Sequence, residues 1–117
     1  MPFAPVSEIY EATDLPRLNP LLKKIVDPYS GKEVTTIPAL RSDVCIIHAQ
    51  EADIYGNCVC VGSNSQEADK ALASDYVIVQ ADRIVSVERM REQPYRTSLP
   101  GNLVKAVVHA PYGAHPL

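Results

Sequence analysis

The sequence contains no cluster of lysine and arginine residues. Its 11 basic residues are scattered over 117 positions and are outnumbered by 14 acidic ones, which gives a formal net charge of −3. Because binding to nucleic acid depends on a basic patch or stripe, this distribution argues against a nucleic-acid partner. Long apolar runs are absent as well, so we expect no transmembrane helix, no signal peptide and no membrane contact. The default expectation is a soluble, cytoplasmic protein.

Common catalytic motifs are also missing. The chain has no Gly-x-Ser-x-Gly, no phosphate-binding P-loop, no Gly-x-Gly-x-x-Gly and no His-Glu-x-x-His. The sequence alone therefore assigns no nucleophile to this chain, and it predicts neither a bound metal nor a permanently bound cofactor.

The chain has only three cysteines, an odd number. Cys58 and Cys60 flank Val59, so strand alternation places both thiols on one face. Zinc sites usually separate paired cysteines by two to four residues, which makes Cys-x-Cys with one distant Cys45 a weak metal motif. We interpret all three as buried apolar residues, with a ligand or redox role as the alternative.

Turn residues and short apolar segments organise the first third of the chain. Prolines at 2, 5, 16 and 20 predict an irregular start or short helical turns. The turn formers of Asp27–Gly31 separate two apolar segments, so a β-hairpin is expected, with Pro38 ending its second strand.

The rest of the chain predicts an α/β fold with a mostly parallel sheet. Three continuous apolar segments are typical of strands buried on both faces: VCIIHAQ at 44–50, YVIVQ at 76–80 and KAVVHAP at 105–111. CVCVG at 58–62 predicts a further short strand, and a helical turn followed by a Pro/Gly loop is expected over 87–102.

The segment SNSQEADKALASD at 63–75 predicts the clearest helix. Asn64 or Ser65 is its expected N-cap, and Ala68, Ala71 and Leu72 share one face. A parallel sheet needs helices on both faces. One clear helix cannot cover three buried strands, so we expect the missing cover to come from a partner chain or from sequence absent here.

Polar side chains follow two of the predicted strands. They are His48, Gln50, Glu51 and Asp53 after the first, and His109, Tyr112 and His115 after the last. Ligands bind outside the carboxyl ends of strands in open parallel sheets, so a site is expected at this edge. For each histidine alone, a rim position with a bond to a backbone carbonyl is the preferred interpretation. Glu51 and Asp53 are expected to lie in a solvated acidic loop.

Four segments together resemble a known family. They are DPYSGKEV at 27–34, IPALRSDVCIIHAQEADIYGNCVCVG at 37–62, ASDYVIVQADRIV at 73–85 and LPGNLVKAVVHAPYGAHP at 99–116. In this order they resemble the C-terminal part of the alpha subunit of family I CoA-transferases, of the glutaconate CoA-transferase type. The resemblance extends from about Pro2 to Pro116.

The resemblance implies a fold and a reaction. The fold would be the α/β CoA-transferase (NagB/RpiA-like) fold with an N-terminal β-hairpin, of which residues 1–117 would form a single partial domain. The reaction would move CoA from an acyl-CoA to a carboxylic acid, expected to be dicarboxylic. Coenzyme A is then a substrate and not a resident cofactor.

The resemblance also implies a partner. Its family carries the catalytic glutamate in a Ser-Glu-Asn-Gly type motif of the beta subunit, and a Gly-Gly-Phe motif in the alpha subunit. This chain has no Glu-Asn-Gly and no Gly-Gly pair, so no catalytic residue is assigned here and a hetero- or homo-oligomer is expected. Gln80–Arg83 also stands where the family often has a Glu-Glu pair.

Five residues are expected to bind the substrate or CoA: His48, Gln50, Asp53, Gly56 and Asn57. Gln50 and Asn57 are neutral donors, and Gly56 permits close backbone approach. Replacing Gln50 with Ala should slow turnover with little loss of stability. Two alternatives stay open: a ring-opening CoA-thioester hydrolase on the same scaffold, and a non-catalytic assembly domain.

Overall fold

The computed structural model describes residues 1–62 and 66–115. The backbone divides into two compact units, Met1–Leu40 and Arg41–Leu117, which are described separately. Whether residues 1–117 act as a single partial domain stays a prediction. Within the described residues, no helix combines the length and the apolar character that a membrane span requires.

The first unit contains a three-stranded antiparallel sheet and two helical turns. Its elements are β1 (Phe3–Pro5), α1 (Glu8–Glu11), α2 (Leu15–Leu18), β2 (Lys23–Val26) and β3 (Glu33–Pro38), and the strand order is β1-β3-β2. The predicted helical turns are confirmed. Strand β1 was not expected in a proline-rich segment, but it lies at the edge of the sheet, where a proline's missing donor matters least.

The predicted hairpin is confirmed, with β2 and β3 paired in antiparallel register. Its turn is built by Asp27, whose carboxylate accepts hydrogen bonds from Tyr29 N at 3.1 Å and Ser30 N at 3.2 Å. The Ser30 hydroxyl adds a third bond, and these contacts, led by that of the Ser30 side chain, lower the pKa of Asp27. Gly31 then takes φ +70°, which completes the turn.

The second unit contains a four-stranded sheet. Its elements are β4 (Ser42–Ala52), β5 (Cys58–Val59), α3 (Glu67–Leu72), β6 (Ser74–Ile84), α4 (Val87–Glu92) and β7 (Ala106–His109), with 3-10 turns at Pro94–Arg96 and Gly101–Leu103. The order is β5-β4-β6-β7. Strand β6 runs parallel to both β4 and β7, and only the short β5 is antiparallel. The mostly parallel α/β sheet is therefore confirmed.

One face of this sheet is covered by the unit's own chain. Alternate residues of β4 and β6 form the buried core with Ala71 of α3 and Leu99. These strand residues are Ile47, Ala49, Val77, Val79 and Ala81, which are at most 4% exposed. The apolar core of the unit therefore lies on this one side of the sheet.

The other face, here called the open face, consists of Val44, Ile46, Tyr76 and Val108. These residues are 51%, 67%, 44% and 47% exposed, respectively. The prediction that these strands are buried on both faces is wrong for the chain by itself. The companion prediction, that this chain does not cover its own sheet, is confirmed for the described residues.

The helix prediction needs two corrections. Helix α3 spans only Glu67–Leu72, and of the three residues assigned to its buried face only Ala71 is buried, while Leu72 is 68% exposed. Strand β6 begins at Ser74, so the chain leaves the helix after one and a half turns and only Ala71 reaches the sheet. The proposed caps Asn64 and Ser65 lie outside the described residues.

We expect the isolated chain to self-associate through the open face, because exposed apolar patches favour association. Ile46→Ser should shift the sedimentation-velocity profile toward monomer. Ile54→Ser, which removes an equally exposed apolar side chain from a loop, is the matched control and should leave the profile unchanged. A monomeric wild-type chain that unfolds cooperatively would contradict this expectation.

Candidate functional site

The carboxyl ends of β4, β6 and β7 meet at one edge of the sheet, because the three strands are parallel. In register, Ala81 of β6 lies between Ala49 of β4 and His109 of β7. This brings residues from the two predicted clusters to one place. Asp82, which the sequence analysis did not select, sits between them.

Both histidines contact Asp82, but through different atoms. His109 Nε2 lies 3.2 Å from the backbone carbonyl oxygen of Asp82. A carbonyl oxygen only accepts, so Nε2 carries the proton and donates. The prediction of a rim histidine bonded to backbone is therefore confirmed for His109.

For His48 the predicted partner is wrong. Its Nε2 lies 3.3 Å from Oδ2 of the Asp82 carboxylate, and not from a backbone carbonyl. His48 Nδ1 and Asp82 Oδ1 are buried and have no hydrogen-bond partner among the described residues. Since buried polar atoms are nearly always paired, this pair has unused hydrogen-bonding capacity.

Gln50 is anchored by its own carbonyl oxygen. Its Oε1 accepts a hydrogen bond from Val61 N at 2.7 Å. This bond orients the amide and leaves the Nε2 donors for other acceptors. Gln50 alternates with His48 along β4 and lies opposite Asp82, so the three residues share the open face. We call His48, Gln50 and Asp82 the polar end of the open face.

Asp53 and Asn57 build the loop that follows β4. Asp53 is fully buried, and its Oδ1 accepts from Tyr55 N at 2.9 Å and from Asn57 N at 3.0 Å. Its Oδ2 accepts from Asn57 Nδ2 at 2.7 Å, while Asn57 Oδ1 accepts from Gly101 N at 2.9 Å. These side chains hold the loop, and direct contact with a substrate stays a prediction.

Close backbone approach at Gly56 was expected, and the neighbour is another part of this chain. Gly56 has φ +91°, and a Cβ there would lie 2.6 Å from Val104 Cβ. At Gly101, a Cβ would lie 2.2 Å from the carbonyl oxygen of Tyr55. The loop after β4 is therefore packed tightly against the turn before β7.

The expectation of a solvated acidic loop is wrong for both carboxylates. Glu51 belongs to β4 and is 8% exposed, and Asp53 is wholly buried. Glu51 Oε1 accepts from Arg83 Nη2 at 2.9 Å. Gln50 and Glu51 are consecutive in the strand, so Glu51 and Arg83 lie on the face opposite the polar end.

A cleft of about 550 Å³ opens beside this ion pair. We call it the arginine cleft; its lining residues are Glu51, Arg83, Ile84, Val85, Ser86, Arg89 and His109. An adjoining hollow shares Glu51 and Arg89 and adds Arg96. Three guanidinium groups thus surround one nearly buried carboxylate, an arrangement that the sequence analysis missed because these arginines are scattered along the chain.

Tyr112 and His115 do not join the polar end through any contact among the described residues. Instead their rings make an edge-to-face contact with centroids 6.2 Å apart. Tyr112 is 81% exposed and adopts φ +58° in the turn after β7. Of the last cluster, only His109 is tied to Asp82.

The thiols of Cys58 and Cys60 touch, as strand alternation predicted. Both cysteines are buried. The hydrogen bond with Cys60 and burial raise the pKa of the Cys58 thiol, while the same bond lowers the pKa of Cys60. Over residues 1–62 and 66–115, no three His, Cys, Asp or Glu side chains form a group that could hold a metal ion.

The sequence profile of a family described as coenzyme A transferase matches residues 8–110. One of the two kinds of chain in glutaconate CoA-transferase of Acidaminococcus fermentans is 43% identical over 95 residues, which cover 80% of this chain and 30% of that protein. The corresponding chain of 3-oxoadipate CoA-transferase from Pseudomonas knackmussii is 37% identical over 116 residues, covering 99% of this chain and 40% of that protein.

Solved structures agree with these sequence relatives. Glutaconate coenzyme A-transferase from Acidaminococcus fermentans superposes with a TM-score of 0.82 at 35% identity, covering 99% of this chain and 41% of that one. The expected resemblance and α/β fold class are therefore confirmed. The chain spans well under half the length of these relatives.

Proposed function

Because the chain belongs to the coenzyme A transferase family, we propose that it forms one wall of a site that moves CoA from an acyl-CoA to a carboxylic acid. The observation that carries this proposal is the polar end of the open face. There His48, Gln50 and Asp82 bring unused hydrogen-bonding atoms to the carboxyl edge of the sheet, beside an apolar surface that this chain leaves uncovered.

The proposal requires a second subunit. The relatives described above are each named as one subunit of their transferase, which supports a complementary subunit for this chain too. The chain contains no Glu-Asn-Gly sequence, so the catalytic glutamate implied by the family resemblance is assigned to that partner. The partner, a beta subunit, would cover the open face and place its glutamate opposite Gln50, in a hetero-oligomer of the cytoplasm.

The chemistry explains what this wall does. A carboxylate that attacks a thioester creates a tetrahedral oxyanion, and hydrogen-bond donors placed in advance stabilise that charge. Gln50 Nε2 is such a donor, held in orientation by the bond between its Oε1 and Val61 N. His48 lies beside it and is positioned by Asp82.

The five predicted binding residues divide into two roles in this proposal. His48 and Gln50 lie at the polar end and contact the substrate. Asp53, Gly56 and Asn57 shape the loop behind them, through the buried carboxylate of Asp53 and the close packing of Gly56 on Val104. Substrate contact by these three residues would require the loop's own bonds to be shared with the substrate.

The acceptor is proposed to be a dicarboxylic acid. Two relatives are named for glutaconate and 3-oxoadipate, and both names denote dicarboxylate anions. Coenzyme A enters as a substrate and leaves on the acceptor, so no resident cofactor is part of the proposal.

The test is CoA exchange by the purified complex of this chain with a co-expressed family beta subunit. We expect CoA to move from acetyl-CoA to a dicarboxylate such as glutarate. Intact mass spectrometry without acceptor should show CoA attached to the partner subunit. Acyl-CoA loss at the same rate with and without glutarate would indicate a hydrolase instead. Full activity of the partner without this chain would indicate a non-catalytic assembly domain.

A further inference from the structure

We propose that the arginine cleft binds a phosphate-type oxyanion and, resting on the proposed function, that this oxyanion is a phosphate of coenzyme A. The polar end of the open face uses none of the cleft's residues as side-chain donors. The cleft therefore needs a separate explanation. Its charge, its rigidity and its position on the sheet each support an anionic ligand.

The charge of the cleft is positive. Arg83, Arg89 and Arg96 surround Glu51, and arginine stays protonated at every physiological pH. One carboxylate offsets one guanidinium, so positive charge remains for a ligand. Arg83 and Arg89 keep 70% and 47% of their side chains exposed, which leaves guanidinium donors accessible. Planar guanidinium groups match phosphate oxygens in pairs.

The pair of Glu51 and Arg83 makes the cleft rigid. The Glu51 side chain is only 10% exposed, and it holds Arg83 Nη2 at 2.9 Å. A long arginine side chain normally loses much rotamer freedom when it binds a ligand. Here that ordering is already provided by the strand pair, because Glu51 and Arg83 are direct neighbours in the register of β4 and β6.

The position of the cleft selects coenzyme A over the acceptor acid. Gln50 and Glu51 point to opposite faces of the sheet, so the cleft lies across the sheet from the polar end. A small dicarboxylate is too short to contact both. Coenzyme A carries its phosphates at the far end of a long pantetheine arm, which can pass around the sheet edge. The cleft volume of about 550 Å³ lies within the usual range for small-ligand sites.

Arg89 is the residue to replace. Its ion pair is with Glu92, an exposed i, i+3 contact at 3.6 Å, so its loss should hardly affect folding. Arg83 is unsuitable, because its removal would leave Glu51 nearly buried and unpaired. The matched control is Arg91→Gln, an exposed change on the same helix that does not line the cleft. Arg89→Lys retains the charge without the planar fork.

The measurement is isothermal titration calorimetry of the complex with the beta subunit, using coenzyme A, dephospho-coenzyme A, pantetheine, pyrophosphate and glutarate as probes. Arg89→Gln should weaken coenzyme A and pyrophosphate roughly tenfold to a hundredfold, the usual effect of losing a charged hydrogen bond. Pantetheine and glutarate should be unchanged. Arg91→Gln should bind all five probes like wild type, and Arg89→Lys should be intermediate. An equal loss for dephospho-coenzyme A assigns the diphosphate, and an unchanged dephospho-coenzyme A assigns the 3′-phosphate.

Three results would overturn the proposal: unchanged coenzyme A affinity in Arg89→Gln, an equal loss for pantetheine, or a loss confined to glutarate. Because binding is measured without turnover, the two proposals can fail separately. Arg89-dependent pyrophosphate binding without any CoA exchange would leave the oxyanion site standing and reject the transferase. Normal CoA exchange with unaltered coenzyme A binding in Arg89→Gln would do the reverse.

Discussion

Asp53→Ala is expected to lower the free energy of unfolding by about 3–5 kcal/mol, at the upper end for a single substitution. Asp53 is wholly buried and accepts three hydrogen bonds, from Tyr55 N, Asn57 N and Asn57 Nδ2. Alanine would leave all three donors without their acceptor. Because Asn57 also accepts from Gly101 N, the damage should spread to the turn before β7.

Urea unfolding followed by circular dichroism measures this loss, and amide hydrogen exchange locates it. Protection of the Tyr55, Asn57 and Gly101 amides should fall together. Asp43→Ala, at an exposed position, is the control and should change stability by less than about 0.5 kcal/mol. If Asp53→Ala unfolds like wild type but loses CoA exchange, Asp53 is a binding residue and its loop contacts are secondary.

Elements encoded by neighbouring residues were predictable from the sequence. The hairpin turn depends on Asp27, Tyr29, Ser30 and Gly31, all within five positions of each other. Strands β4 and β6 were predicted from their continuous apolar residues, although both extend further than expected, to Ala52 and Ile84. The extension matters, because it places Glu51 and Arg83 in the sheet and not in loops.

Contacts across strands were not predictable in the same way. The ion pair of Glu51 with Arg83 and the contact of His48 with Asp82 depend on the register of β4 against β6. A shift of one residue would turn each side chain to the other face. The sequence pattern specifies that a strand exists, but nothing local to β4 indicates which residue of β6 lies beside it.

The open face shows why burial was overestimated. Val44 and Ile46 belong to a segment whose composition is typical of a strand buried on both sides, yet both are more than half exposed in this chain. Composition reflects the surface that the complete assembly covers, whereas one chain shows only its own contacts. The residues where the two disagree are therefore those that we expect a partner to cover.

Gln50 provides the strongest expected effect on activity. In the complex, Gln50→Ala should lower turnover roughly tenfold to a hundredfold, the loss expected for one transition-state donor. It should also cost about 1 kcal/mol of stability, because Val61 N loses the acceptor that lies 2.7 Å away. The expectation from sequence that stability would hardly change is revised for that reason.

Gln50→Glu separates the two roles of this side chain. A carboxylate oxygen can still accept from Val61 N, so stability should return to that of wild type, but Nε2 and its donors are gone. Turnover should therefore stay as low as in Gln50→Ala or fall further, since the new charge repels a substrate carboxylate. Gln66→Ala, an exposed change, controls for the loss of a glutamine amide. If Gln50→Glu restores both stability and turnover, the Val61 bond is the whole function of Gln50 and the oxyanion donor lies elsewhere at the sheet edge.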